Sequence, residues 1–262
     1  MTTFSIMFVC TGNMCRSPIA ERLAVSALER HLGDAAGTFR VFGAGTGTYA
    51  GREMTPEAAA VVSAYGGDPD GFRSTELTAD LVGAADLILT ATRAHRSAVV
   101  TLDPGALRRT FTLTEFARTT AALADRAPEP DPAVLSAATE VAAASGAVGA
   151  TSLAATDPAG TADRLAAASE AEGDGAVDAS PTDPVERARA VVALVARQRG
   201  TVRPGTPDED DIPDPIGRPM AVYEAAGATI SQAVATSIAA LVGARARTPH
   251  DGRARTPYDG RA

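Results

Sequence analysis

The most constraining feature of the chain is an apolar run that passes through a short loop into the start of a helix. Residues 6–10 have the character of a buried strand, and residues 11–18 read TGNMCRSP. A loop of this length turns successive backbone N–H groups inward as a nest for a tetrahedral oxyanion, and the positive end of the following helix faces the same place. Gly12 is expected to relieve backbone strain there. The sequence therefore predicts a phosphate-binding loop after the first strand.

Cys10 lies at the start of this loop and Arg16 at its end. The nest, the helix N-terminus and the guanidinium all favour thiolate over thiol, so Cys10 is predicted to be a nucleophile at neutral pH. The planar fork of Arg16 can hold two oxygens of a phosphoryl group. Ser17 can donate a hydrogen bond to the Cys10 sulfur, which makes the sulfur a better leaving group when a phosphocysteine is hydrolysed. The alternative is a buried structural cysteine near a surface arginine. The predicted substrate-binding residues of the loop are Thr11, Gly12, Asn13, Met14, Cys15 and Ser17.

Residues 9–21 carry a family resemblance. Their sequence, VCTGNMCRSPIAE, resembles the signature V-C-x-G-N-x-C-R-S-P-x-A-E of the low-molecular-weight protein tyrosine phosphatases. The resemblance covers roughly residues 3–116 and 213–244. It implies a cysteine-dependent phosphatase that uses no metal or other cofactor and whose general acid is an aspartate followed by proline near the C-terminus. Asp214 fits that description, because it precedes a proline and a helix-like segment, and it is the predicted acid.

Other carboxylates compete with Asp214 for this role. Residues 208–211 read DEDD, a run that predicts a solvated loop. Asp131 and Asp157 are also followed by proline, but they lie in a low-complexity region. Asp183 is predicted to be the N-cap of a helix that begins at Pro184.

The resemblance bears on the substrate through two residues. Relatives that act on phosphotyrosine tend to have a bulky aliphatic residue at the position of Met14, whereas protein-arginine phosphatases tend to have threonine. Met14 therefore favours phosphotyrosine, although DPIG at 214–217 resembles the acid loop of the arginine-specific branch. Tyr49 is expected to wall the pocket and to stack on an aromatic leaving group. Gly43 and Phe72 replace a serine and a histidine that in relatives help to hold Asn13, so Asn13 is expected to be held differently.

The favoured function is hydrolysis of phosphotyrosine in a phosphorylated protein substrate, for which a bacterial tyrosine kinase is one candidate. Three alternatives stay open: a protein-arginine phosphatase, an arsenate reductase that uses an external thiol, and a non-catalytic phosphate-binding protein. The external thiol is needed because no cysteine follows Cys15. Two interpretations of Cys15 stay open. It forms a reversible disulfide with Cys10 that protects the nucleophile, or it is a small buried residue behind the loop.

The hydrophobic periodicity predicts an α/β fold in which a four-stranded parallel sheet is covered by helices on both faces. Ligands of such sheets bind at the carboxyl ends of the strands, where Cys10 is placed. The predicted strands are 6–10, 39–42, 87–89 and 109–113, and the predicted helices are 19–32, 55–65, 78–84, 93–100, 184–199 and 220–244.

Composition divides the chain into a phosphatase domain (1–120 and 183–246), a low-complexity flexible insertion (121–182) and a disordered repeat tail (247–262). The insertion holds ten acidic residues and two arginines, a net charge of −8 that equals the charge of the whole chain. The remainder is near neutral and has no basic cluster, which argues against nucleic-acid binding. No charge-free apolar stretch approaching twenty residues is expected, and the N-terminal run is too short for a signal peptide. These features predict a cytoplasmic protein without a membrane segment.

Overall fold

Four parallel strands form one sheet in the order β2-β1-β3-β4. The computed structural model describes residues 2–126 and 183–244. Each strand is separated from the next by at least one helix, the crossover that a parallel pair needs. The predicted α/β class and the four-stranded parallel sheet are confirmed. The strands are β1 (Phe4–Cys10), β2 (Phe39–Gly45), β3 (Leu87–Thr90) and β4 (Thr110–Thr112).

Within the described residues the α-helices are α1 (Arg16–Leu32), α2 (Pro56–Ala64), α3 (Ala79–Gly83), α4 (Arg93–Leu102), α5 (Leu113–Arg126), α6 (Pro184–Arg197) and α7 (Met220–Val242). Four of them, α2, α3, α4 and α6, begin after a residue whose side chain caps the helix. The Thr55 hydroxyl accepts from the Ala58 N–H at 3.2 Å at the start of α2, and the Asp183 carboxylate accepts from the Val185 N–H at 2.8 Å at the start of α6, as predicted for an N-cap.

The two faces of the sheet bury different sets of β1 side chains. Phe4, Ile6 and Phe8 join the larger apolar cluster, which includes residues of α1, α2, α5, α6 and α7. Met7 and Val9 join a smaller cluster with residues of α3 and α4. Since successive side chains of a strand point to opposite faces, β1 is covered on both sides. This burial fixes the strand whose carboxyl end carries Cys10.

Helix α7 corrects one expectation from the sequence. Residues 225–244 contain no charged side chain, so a charge-free stretch of twenty residues does exist. By length and composition Met220–Val242 is apolar enough to cross a membrane, yet half of its most apolar window is buried within the protein. Its buried residues include Tyr223, Ile230 and Leu241, which belong to the larger cluster. The helix is therefore placed as a core helix of the fold.

Helix α5 was not predicted, and it continues past the boundary that the sequence suggests. Its first turn follows β4 directly, and its last six residues, 121–126, fall in the segment assigned to the insertion. Alanine, which dominates that stretch, is both a low-complexity marker and the best helix former, so composition alone did not distinguish the two. The remainder of the predicted insertion and the predicted tail at 247–262 lie outside the described residues.

Candidate active site

The predicted phosphate loop, residues 11–15, connects the carboxyl end of β1 to α1. A turn after β2 supports it: the Thr46 N–H donates to the Cys10 carbonyl at 2.9 Å, and the Gly47 N–H donates to the Thr11 carbonyl at 3.0 Å. A Cβ at Gly45 would lie 2.6 Å from the Thr11 carbonyl oxygen. Glycine is therefore required at that position for the turn to approach the loop.

A directed chain of hydrogen bonds runs from the backbone of Thr75 to Cys10. The Thr75 N–H donates to Asn13 Oδ1 at 2.8 Å, which fixes the orientation of the amide. Asn13 Nδ2 must then donate to Ser17 Oγ, at 2.9 Å. The Ser17 hydroxyl hydrogen is left for Cys10 Sγ, which lies 3.0 Å from Ser17 Oγ. Ser17 is therefore oriented as a donor to the sulfur, as the sequence predicted.

Asn13, rather than Gly12, adopts the left-handed conformation in the loop. Asn13 has φ +47° and is fully buried, and it is the one non-glycine residue with positive φ among those described. Gly12 does not have positive φ, and a Cβ on it would meet nothing within 4 Å. The expectation that Gly12 relieves the strain is corrected, because asparagine tolerates this region when its side chain is bonded locally.

Several donors in the loop have no hydrogen-bond partner among the described residues. The backbone N–H groups of residues 12–15 donate to no group in the described part of the chain. Arg16 is 5% exposed, and its Nε is buried without a hydrogen-bond partner among the described residues. Buried polar groups are nearly always paired. These groups are therefore left free to donate to the oxygens of a bound anion.

The other nitrogens of Arg16 tie the phosphate loop to the segment that carries the predicted acid. Nη1 donates to the Ile212 carbonyl at 3.0 Å, and Nη2 donates to Asp214 Oδ2 at 2.6 Å. Ile212 is itself anchored, since its N–H donates to the Ala91 carbonyl at 2.8 Å after β3. The structure therefore places Asp214, which is 43% exposed, against the predicted catalytic arginine.

The neighbouring acids are engaged elsewhere. Arg93 holds Asp211 with its backbone N–H at 2.7 Å and with Nη2 at 2.9 Å, and these hydrogen bonds lower the pKa of Asp211. Asp210 lies 2.8 Å from Nη1 of Arg118. Glu209 accepts from the backbone of Gly205 and Thr206. Asp131 and Asp157 lie outside the described residues.

The remaining predicted site residues fall around the loop. Met14 packs against the larger core cluster, and its carbonyl accepts from the Thr55 N–H at 3.0 Å. Cys15 is buried, with Sγ 3.6 Å from Thr55 Oγ1, and burial raises the pKa of its thiol. Both cysteines are free. Tyr49 is 82% exposed, so its ring can contact a ligand, while its carbonyl accepts from Ser74 Oγ at 2.7 Å.

His95 was missed by the sequence reading, because a single histidine on a helix carries no motif. Its Nε2 lies 2.8 Å from Thr11 Oγ1 and its Nδ1 lies 2.7 Å from Thr92 Oγ1. Thr11 Oγ1 also accepts from Arg16 Nη2 at 3.5 Å. Burial, and then the charge of Arg16, lower the pKa of His95 to about 4. The imidazole is therefore uncharged at neutral pH.

Glu21 approaches the other side of the loop. A Cβ at Gly43 would lie 2.7 Å from both Glu21 Oε2 and Asn13 Nδ2, so the carboxyl and the amide crowd the same glycine. Burial raises the pKa of Glu21 to about 7. Asn13 is held by hydrogen bonds to Ser17 and to the Thr75 backbone. The side chains at positions 43 and 72 take no part in these bonds, so Asn13 is held differently from the arrangement expected in relatives.

In residues 2–126 and 183–244, no group of three or more His, Cys, Asp or Glu residues is placed to hold a metal ion.

Comparison with known proteins places the chain in a family. The family described as low molecular weight phosphotyrosine protein phosphatase matches residues 5–140. The probable low molecular weight protein-tyrosine-phosphatase EpsP of Ralstonia solanacearum is 34% identical over 112 residues, 43% of this chain and 72% of that protein. The low molecular weight protein-tyrosine phosphatase A of Mycobacterium tuberculosis is 41% identical over 91 residues, 34% of this chain and 53% of that protein.

Solved structures share the fold. The crystal structure of the Erwinia amylovora tyrosine phosphatase AmsI superposes with a TM-score of 0.50 and 17% identity, covering 91% of this chain and 93% of that one. A mutant of YwlE from Bacillus subtilis gives a TM-score of 0.50 at 18% identity, covering 90% and 97%. Structural matches at identities this low show the fold alone. The match to the family and the 34% identity to EpsP show a relationship in sequence. The chain belongs to the low molecular weight phosphotyrosine protein phosphatase family.

Proposed function

We propose that this protein hydrolyses phosphotyrosine in proteins through a phosphocysteine intermediate on Cys10. The observation that carries the proposal is the set of unpartnered donors around Cys10: the backbone N–H groups of residues 12–15 and the buried Nε of Arg16. A phosphoryl group supplies oxygen acceptors for these donors and places its phosphorus next to the sulfur. Fixed donors of this kind stabilise the charge of a phosphoryl transition state.

In the first step Cys10 Sγ attacks phosphorus, the S–P bond forms, and the bond from phosphorus to the tyrosine oxygen breaks. Asp214 is the proposed acid that gives its proton to the leaving oxygen. In the second step the Asp214 carboxylate takes a proton from the water that attacks phosphorus, and the S–P bond breaks. Ser17 donates to the departing thiolate, as its orientation by Asn13 favours.

Substrate binding has to separate Asp214 from Arg16. Without a ligand, the Arg16 fork is shared between Asp214 Oδ2 and the Ile212 carbonyl. A dianionic phosphate ester competes for the same guanidinium. Because Asp214 is partly exposed, its ion pair is weak enough to be exchanged for the phosphate. The freed carboxyl then lies beside the leaving group.

The proposed preference for phosphotyrosine depends on two residues beside the phosphate loop, Tyr49 and Met14. The largely exposed Tyr49 ring can stack on an aromatic leaving group. Met14, half-buried in the loop, gives an apolar contact at a position where a phosphoarginine enzyme is expected to have threonine. A phosphorylated protein, including a tyrosine kinase that carries phosphotyrosine, is the proposed partner.

The proposal is tested by measuring phosphate release from a phosphotyrosine peptide and a phosphoarginine peptide with the reduced protein. Cys10→Ser is expected to lose turnover by about four orders of magnitude or more while it still binds inorganic phosphate, because only the nucleophile is removed. Arg16→Ala is expected to lose both turnover and binding.

Faster phosphate release from the phosphoarginine peptide would show that phosphotyrosine is not the preferred substrate. The phosphocysteine mechanism would still hold. If the wild type and Cys10→Ser release phosphate equally, the phosphocysteine mechanism is wrong. Phosphate binding without turnover of either peptide would identify a binding protein.

A further inference from the structure

His95 has contacts that reach the proposed phosphatase site from outside the phosphate loop. It lies in the first turn of α4, is 7% exposed, and places one ring nitrogen on Thr11 and the other on Thr92. Thr92 is the N-cap of α4 and also accepts from the His95 backbone N–H at 3.3 Å. The Thr92 contact therefore serves the helix, whereas the Thr11 contact serves the loop.

Donor and acceptor roles connect His95 to Arg16. An uncharged imidazole has one ring N–H and one lone pair. Arg16 Nη2 can only donate to Thr11 Oγ1, so the Thr11 hydroxyl hydrogen can point to Nε2 of His95, and Nδ1–H can point to Thr92. This arrangement satisfies both ring nitrogens and aims a lone pair of Thr11 at the guanidinium. A protonated ring would instead donate from Nε2 to Thr11 Oγ1, which would leave the Thr11 hydroxyl hydrogen without the imidazole as its acceptor.

We propose that His95 is a positioning residue of the proposed phosphatase reaction, which acts by holding the Thr11 hydroxyl against the Arg16 guanidinium. This proposal depends on the proposed function only for the kinetic test, in which kcat/KM is measured. The charged groups that act on the imidazole are Arg16 of the phosphate loop side and Asp211 and Asp214 of the acid loop. A bound oxyanion adds negative charge beside Arg16, so protonation of His95 becomes easier when the loop is filled.

Two substitutions separate the two contacts of the ring. The amide of His95→Gln reaches the position of Nε2 and can keep the Thr11 contact, whereas that of His95→Asn reaches only the position of Nδ1 and can keep the Thr92 contact. His95→Gln is expected to retain kcat/KM within about threefold, and His95→Asn to lose about tenfold or more, a range typical of a lost positioning contact. In a Thr11→Val background, His95→Asn is expected to have little further effect.

A second measurement is independent of turnover. His95 is one of three histidines, so its imidazole titration can be followed by NMR in the Cys10→Ser protein with and without inorganic phosphate. The His95 pKa is expected to rise by about half a unit or more with phosphate, and less with Thr11→Val.

The proposal is wrong if His95→Asn and His95→Gln change kcat/KM equally and in step with thermal stability, or if bound phosphate leaves the His95 titration unchanged. Failure of the wild type to turn over any peptide would overturn the proposed function, while the NMR result would still decide the role of His95.

A separate observation concerns the opposite end of β1, where a cavity of about 440 Å³ opens. Phe4 lines it, and because a strand rises about 3.3 Å per residue the cavity lies roughly 20 Å from Cys10. Its lining combines apolar and basic side chains with one carboxylate. The basic residues are Arg108, Arg109, Arg189 and Arg197, and the apolar ones are Phe4, Val192, Ala193 and Ala196.

The positive charge of this cavity is only partly neutralised among the described residues, because Nη2 of Arg109 pairs with Asp103 at 3.1 Å. Asp86 is the one carboxylate in its lining, and it accepts from the Ser5 N–H at 2.8 Å as well as facing Arg189 at 3.7 Å. Arg108 and Arg197 have no hydrogen bond or ion pair within the described ranges. The Nε of Arg109 is buried and without a partner among the same residues.

We infer that this cavity is a second ligand site, for a small organic anion with a compact apolar body. Guanidinium groups bind carboxylate, sulfonate or phosphate oxygens, while Val192, Ala193 and Ala196 offer apolar contact. This inference does not depend on the phosphatase activity.

The test uses anilinonaphthalene sulfonate as a fluorescent probe, with orthovanadate present to fill the phosphate loop. Saturable binding is expected, and Arg108→Ala/Arg197→Ala is expected to raise the Kd about tenfold or more, because two charge-assisted contacts to the anion are lost. Ala193→Trp, which fills the cavity without loss of charge, is expected to do the same. The matched control Arg126→Ala/Arg203→Ala removes two exposed arginines elsewhere and is expected to leave the Kd unchanged.

Phosphotyrosine turnover should be the same in all three variants. An equal loss of probe binding in the control, no saturable binding, or displacement of the probe by orthovanadate would overturn the inference.

Discussion

The phosphate loop is held differently on its two sides. On the His95 side, Thr11, His95 and Thr92 form a continuous set of side-chain hydrogen bonds between 2.7 and 2.8 Å. On the Glu21 side, a half-buried carboxyl accepts no hydrogen bond from any residue in the described ranges, and Arg22 lies over the apolar ring of Phe72 at 5.7 Å from its centroid. One side is a connected set of polar side chains, whereas the other side is crowded and carries an acid that is not hydrogen-bonded to any described residue.

The difference shows that a loop can be rigid without symmetrical support. The sides meet at the reactive residues, since Arg16 belongs to the His95 side and Asn13 to the Glu21 side. The two sides also respond oppositely to pH, because burial raises the pKa of Glu21 to about 7 and lowers the pKa of His95 to about 4. Each side is therefore destabilised at a different end of the pH scale.

The largest expected effect is on the His95 side, where Asp214 contacts Arg16. Asp214→Asn keeps the size of the side chain and removes the proton donor, so kcat is expected to fall by about 10²–10⁴. The same change removes a carboxylate that competes for Arg16, so phosphate is expected to bind about two- to tenfold more tightly. Steady-state kinetics and calorimetry measure the two effects. Asp208→Asn is the matched control, and an equal loss there would contradict the assignment of the acid.

On the Glu21 side, Glu21→Gln is expected to stabilise the protein at high pH. The folded pKa of Glu21 is raised from 4.5 to about 7, so wild-type stability falls as pH rises through that window. The full difference, reached above about pH 7, is about 3 kcal/mol. Urea unfolding at pH 8 and pH 4.5 measures it, and the variant should match wild type at the lower pH. A gain of the same size at both pH values would remove ionisation as its cause.

His95→Gln is expected to give the opposite pH dependence at a similar or smaller size. Because the folded pKa of His95 is lowered from 6.5 to about 4, the wild type loses up to about 3 kcal/mol as pH falls through that window. The variant should lack this slope. Unfolding free energies at pH 7, 5.5 and 4 test the comparison, with His31→Gln on an exposed site as the control. Parallel curves for wild type and variant would show that His95 does not titrate as described.

The smallest expected change comes from Gly43→Ala, which tests the crowding directly. The added Cβ would lie 2.7 Å from Asn13 Nδ2 and Glu21 Oε2. Glu21 is the end of a flexible chain and can move, whereas Asn13 is fixed by Thr75 and Ser17, so a loss of about 1–2 kcal/mol is expected. Thermal unfolding measures it. Gly12→Ala, where a Cβ meets nothing within 4 Å, is the control for stability.

The sequence predicted most of the fold because strands β1 and β3 are almost entirely apolar and four of the described helices begin at a capping side chain. It also singled out Cys10, Arg16 and Ser17, since these lie within one local motif. Residues that reach the loop from distant segments were not predictable in the same way. His95, Ile212 and the Thr75 backbone act through contacts that span 84, 196 and 62 positions along the chain, and none of them belongs to a local pattern.

The contact of Thr75 with Asn13 has an evolutionary consequence. The donor is a main-chain N–H, and the segment that carries it is joined to Gly45 by the Gly45 N–H to Thr75 carbonyl bond at 2.9 Å and the Leu77 N–H to Gly45 carbonyl bond at 2.9 Å. Nineteen of the twenty amino acids supply that donor equally well; proline does not. Substitutions at position 75 other than proline therefore leave the orientation of Asn13, and through it that of Ser17 beside Cys10, unchanged. Selection can act on the side chain at position 75 without disturbing the chemistry.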